Sequence, residues 1–144
     1  MFEVYGEMSS ADEINALAES LKAEQELDNL KTLAKENGIE EELAELFFSG
    51  ELPFLTDDCM AAVAKLTMEA EGKGEDSLEA EIVEGLKDKA DTNEDFAKKV
   101  RKKGKSLDKC IKHLWEVAKK EKKGNGIYIS PRRLIRLAIE YYEV

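Results

Sequence analysis

From residue 10 onward, apolar residues recur every three or four positions, the spacing of one helix face. Ser10-Ala-Asp-Glu13 reads as a capping box, with a hydroxyl at the N-cap and a carboxylate three residues on. Ile14, Leu17, Ala18 and Leu21 continue it as a first helix. Leu27, Leu30, Leu33 and Ala34 predict a second, ending at Asn37-Gly38, where glycine can take the left-handed turn. A third carries Glu40, Glu41 and Glu42 in its first turn and Leu43, Leu46 and Phe47 as its stripe. Thr56-Asp57-Asp58 opens a fourth with Met60, Ala61, Val63, Ala64 and Met68 inward. Ser77 caps a fifth with Leu78, Ile82, Val83 and Leu86, and Thr92 caps a sixth with Phe96 and Val100. Ser106 opens a long helix to about Lys123, striped by Leu107, Cys110, Ile111, Leu114, Trp115 and Ala118. Ser130-Pro131 starts the last one, a cap followed by proline at the first helical position.

The pattern predicts an all-α protein of about seven short helices, with at most a minimal strand near each end. The candidates for those strands are Phe2–Tyr5 and Ile127–Ile129. "EGKGED", residues 71–76, is polar and glycine-containing, so residues 72–76 read as a linker. It divides an acidic N-terminal helical module, 1–71, from a C-terminal helical module, 77–144.

Charge sharpens this division. The chain has 144 residues and a formal net charge of −10. Residues 1–96 hold 7 Lys, no Arg and 27 Asp and Glu, a balance of −20. Residues 97–144 hold 15 Lys and Arg against 5 acids, a balance of +10. The basic run "KKVRKKGKSLDK", 98–109, opens that last part. No apolar run approaches membrane-spanning length and no basic-then-apolar leader is present, so the expected location is the cytoplasm.

Candidate catalytic chemistry is sparse, and the expectation is a protein that is not an enzyme. Cys59 and Cys110 are far apart and read as small buried hydrophobes of a reducing compartment. His113, the single histidine, has Lys109 and Val117 at helical neighbour positions, neither of them a metal ligand. A Cys110–His113 couple lies one turn apart but lacks a third group to orient it. Gly72-Lys73-Gly74 lacks the rest of a phosphate loop. The acidic runs lack the ligand spacing of a calcium loop, so no metal and no cofactor is expected.

Two binding constellations remain. One is acidic: Glu40, Glu41, Glu42, Glu45, Asp57 and Asp58 are candidates to present carboxylates as a nucleic acid presents phosphates. The other is basic: Arg101, Lys102, Lys103, Arg132, Arg133 and Arg136 are candidates to touch a partner or nucleic acid. A bland reading accompanies both, since charge on a helix face is often only a solvated surface suited to the macrodipole.

The segments "SLEAEIVEGLKDKADTNEDFAKKV", "SLDKCIKHLWEVAKK" and "NGIYISPRRLIRLAIEYYEV" resemble the PcfK-like family of Firmicutes conjugative elements and phages. "FEVYGEMSSADEINALAESL" and "LKTLAKENGI" resemble the helical leader attached to such proteins. That family includes type II-A anti-CRISPR proteins, which inhibit the RNA-guided CRISPR effector nuclease. Its usual acidic residues after the Asn-Gly turn are replaced here by Arg132 and Arg133. The resemblance implies an anti-CRISPR inhibitor whose partner is a CRISPR effector nuclease with its guide RNA. It would occupy a basic nucleic-acid site or block the cleavage-competent state. The alternative is a nucleic-acid-binding accessory protein of a phage or conjugative element, acting on RNA or DNA through the basic C-terminal third. No membrane partner is expected.

Overall fold

The computed structural model describes residues 4–73, 77–120 and 129–144. Among these residues the fold is all-α: eight helices and no strand. They are α1 (Ala11–Ala23), α2 (Leu27–Glu36), α3 (Glu41–Ser49), α4 (Asp58–Glu69), α5 (Leu78–Thr92), α6 (Glu94–Arg101), α7 (Leu107–Lys120) and α8 (Pro131–Glu143). No helix among the described residues is long and apolar enough to cross a membrane. Residues 2–3 and 127–128 of the expected end strands fall outside the described residues, as do the Asn-Gly turn and the 121–123 end of the expected long helix.

The caps follow the sequence closely. The Ser10 hydroxyl accepts from the Glu13 N–H at 3.1 Å. The Glu13 carboxylate reaches back to the Ser9 N–H at 2.9 Å, which holds that carboxyl below its ordinary pKa. Asp57, Ser77 and Ser130 cap α4, α5 and α8 as predicted. Thr92 does not cap α6. Its hydroxyl donates back to the Asp88 carbonyl at 3.1 Å, inside α5, and Asn93 caps instead through the Phe96 N–H at 3.0 Å. Threonine at a helix end can satisfy the preceding turn, and the amide one residue later takes the cap.

Two apolar cores result. Ile14, Leu21, Leu30, Leu33, Ile39, Phe47 and Leu55 centre the first, from α1 to α3 and the loop before α4. Ile82, Leu86, Phe96, Val100, Leu107, Leu114, Leu134 and Tyr142 centre the second, from α5 to α8. Gly85 fits α5 closely against α8, since a Cβ there would stand 2.7 Å from Ile135 Cγ2.

α4 contributes to both cores. α4, assigned by sequence to the 1–71 module, packs chiefly on α5 and α6. Its Ala61 belongs to the first core, and its Ala62 and Leu66 to the second. Consecutive alanines point to different sides of a helix, so one helix with small residues serves as the wall between both cores. The expected linker therefore follows a helix already shared by both halves; residues 74–76 of it lie outside the described residues.

Candidate protein-binding surface

Polar side chains at the junction of the cores decide which charges face solvent. Arg101, a candidate surface contact by sequence, is 1% exposed. It ends α6 and turns inward: Nη2 donates to the Met8 carbonyl at 2.7 Å and to Asn37 Oδ1 at 2.9 Å, and Nη1 donates to the Ala61 carbonyl at 3.4 Å. Asn37 is itself buried and donates to the Leu33 carbonyl at 2.9 Å. The assignment of Arg101 to a partner or nucleic-acid surface is corrected on this ground: the side chain is buried, and both Nη1 and Nη2 donate within the fold, while Nε has no partner among the described residues.

Lys65 of α4 is equally buried. Its Nζ donates to the Val100 carbonyl at 2.8 Å and the Lys105 carbonyl at 2.9 Å, with Glu7 Oε1 at 3.6 Å. Burial lowers its pKa, opposed by the charges of Glu69 and Glu7. Burial raises the pKa of Glu69, opposed by Lys65 and by the Leu107 N–H that Glu69 accepts at 3.2 Å.

Two cations of the basic run 98–109 are structural, and the others stay exposed. Besides Arg101, Lys105 donates to the Tyr141 carbonyl at 2.8 Å, near the end of α8, and lies 4.5 Å from the centroid of the Tyr141 ring. A cation suits that position because helix C-terminal carbonyls carry negative partial charge. Lys109 donates to the Gly104 carbonyl at 3.1 Å. Lys102 and Lys103 remain exposed, as do Arg132, Arg133 and Arg136 on α8.

The acidic candidates point mainly outward. α3 turns Ala44 and Phe47 into the core, leaving Glu40, Glu41, Glu42 and Glu45 exposed. Glu45 pairs with Lys31 at 3.1 Å. Glu40, Glu41 and Glu42 make no ion pair among the described residues. Asp57 is committed to its cap, accepting from the Met60 N–H at 2.8 Å. Half-buried Asp58 stands 4.0 Å from Lys98.

The start of α3 and one face of α4 line a groove of about 480 Å³. Ile39, Leu43, Met60, Val63, Ala64 and Met68 supply its apolar surface. Among the described residues, Glu40, Glu71 and Asp91 are its charged residues, and no cation lines it. Gly38 permits the close approach of α2's end to α4: φ is +71°, and a Cβ would lie 3.1 Å from that of Ala64. The groove adjoins a second cleft, lined also by Lys35 and Glu36. Carboxylates over an apolar floor hold a negative potential that favours a cation with an apolar body. Asp91 lay outside the acidic candidates. Nothing local marks Asp91, which reaches this groove from α5 only because α5 packs on α4.

The remaining candidates sit in ordinary surroundings. Cys110 is buried, its Sγ 3.8 Å from the Ala138 carbonyl, and burial pushes its thiol up to about 12. His113 is exposed on the same helix, its ring 6.0 Å from that of Tyr141. Among the described residues, no three His, Cys, Asp or Glu side chains converge as a metal site.

No family model, curated protein or solved structure matches this chain.

Proposed function

We propose that this chain is a stoichiometric inhibitor that binds a protein through its acidic face, with an RNA-guided type II CRISPR effector nuclease and its guide as the partner. The observation carrying this reading is the glutamate row Glu40, Glu41 and Glu42, exposed at the start of a packed helix, with no ion pair and no cation in the adjoining groove among the described residues. A fixed row of carboxylates competes for a channel built to hold phosphates, and such effectors hold guide and target in positively charged channels. The choice of this partner rests on the sequence resemblance to the PcfK-like family.

Reversing Glu40, Glu41, Glu42 and Glu45 to lysine together tests it. The inhibition constant against effector–guide complex is expected to rise at least about 100-fold, since several charges aimed at a cationic site change sign. Wild-type binding should also weaken as salt rises. Asp57 is left intact, because losing an N-cap aspartate costs about 0.5–2 kcal/mol by itself and would confuse stability with binding. Inhibition unchanged by the quadruple reversal removes these residues from the interface.

A second reading rests on the exposed Arg132, Arg133 and Arg136 of α8, with Lys112, Lys119 and Lys120 exposed on α7. They suit phosphate neutralisation and a nucleic-acid-binding accessory role. Salt-sensitive mobility shifts of duplex DNA or RNA by the full chain, lost on reversing the three arginines, would favour it.

A further inference from the structure

The acidic groove has a counterpart on the same chain. Lys112, Trp115 and Lys119 of α7 lie on one helix face by their 3, 4 and 7 spacing. Trp115 is 43% exposed and is the only tryptophan in the sequence. Lys120 is exposed further round the helix, and Lys109 donates to the Gly104 carbonyl. The acids on this side are Glu116 and Asp108, and Asp108 is paired with Lys73 at 3.2 Å. The face is therefore a large aromatic set among an excess of lysines. The groove is the converse: a methionine-containing apolar floor beneath three carboxylates, with no residue of α7 or α8 in its lining.

We infer that the α7 face of one copy docks in the α3–α4 groove of another, with Trp115 against Met60 and Met68 and the lysines facing Glu40, Glu71 and Asp91. Charge complementarity selects this occupant. Each chain carries an anionic apolar recess and a cationic apolar projection, while its net charge of −10 opposes random association. Tryptophan gives a large buried area with few rotors to immobilise, and methionine adapts to it. Because the two faces are different patches, the contact is head to tail. It extends into open chains of copies unless the rotation happens to close a ring.

Trp115 is also the probe. In wild-type protein, raising the concentration at low salt should shift its emission to the blue and reduce its quenching by acrylamide. Sedimentation velocity should show mass growing with concentration, and high salt should reverse all three changes. Trp115→Ala and the triple variant Glu40→Lys, Glu71→Lys, Asp91→Lys should each stay monomeric where wild type associates. Each change corresponds to at least roughly a 30-fold weaker contact, as for an interface hot spot. Circular dichroism equal to wild type confirms their fold. Mixed together, the two variants keep one good face each, so they should form a one-to-one pair and nothing larger. Wild type that stays monomeric with unchanged Trp115 emission overturns the inference, as does a variant mixture that fails to pair. Trp115→Ala retains Glu40, Glu41 and Glu42, so its inhibition of the nuclease is read separately from its assembly.

Discussion

Arg101→Ala is expected to lower the free energy of unfolding by about 3–5 kcal/mol, the scale for removing one member of a buried charged network. The substitution strips donors from the Met8 and Ala61 carbonyls and from Asn37 Oδ1, all at the contact between the cores. Each acceptor left buried without a donor costs about 1–3 kcal/mol, and the vacated volume adds to that. Arg101→Lys should recover only part of the loss, because one ammonium lacks the planar fork that reaches three acceptors on three segments. Lys103→Ala, two residues on but exposed, should stay within about 0.5 kcal/mol of wild type. Urea titrations of the three variants followed by circular dichroism make the comparison. Arg101→Ala and Lys103→Ala with equal midpoints would mean that the guanidinium does not hold the junction.

Lys65→Met should destabilise by about 2–3 kcal/mol near neutral pH, since the thioether keeps the apolar stem but leaves the Val100 and Lys105 carbonyls without their donor. Its pH dependence separates the ammonium from the stem. Burial depresses the Lys65 pKa in the folded state, so between that value and its ordinary 10.5 the unfolded chain binds more protons. The stability linked to this depression is complete above 10.5 and is lost as pH falls through the folded-state pKa. The gap between wild type and Lys65→Met should therefore widen in favour of wild type as pH rises toward 10.5. Subtracting the two curves cancels the tyrosines and other lysines that titrate in the same range. A gap independent of pH would place the Lys65 ammonium in water.

These two residues also explain what happened to the basic run 98–109. As sequence it is a cluster of positive charge, and its composition points to a nucleic-acid footprint. In the fold Arg101 pins two cores, Lys105 serves the last carbonyls of α8 and Lys98 sits near Asp58, so Lys102 and Lys103 are the members of its basic candidate set left exposed here. The acidic row fared differently. Glu40, Glu41 and Glu42 stay in solvent because α3 spends its inward positions on Ala44 and Phe47, and Lys31 pairs with Glu45 instead.

By itself the sequence determined the helices, most of their caps and most of the apolar stripes, because those depend on contacts three or four residues apart. Asn93 in place of Thr92 caps α6, and Leu46, Met60 and Trp115 of the expected stripes are exposed. It also determined the polarity of charge along the chain and the outward face of α3. Tertiary structure alone decided that α4 belongs to both cores, that Arg101 and Lys65 point inward, and that Asp91 joins Glu40 and Glu71 around one groove. Each of those outcomes depends on partners on other helices or loops, far beyond one helical turn, as in the 64-residue separation of Arg101 from Asn37. Such pairings follow from how whole helices pack, and local spacing carries no record of them.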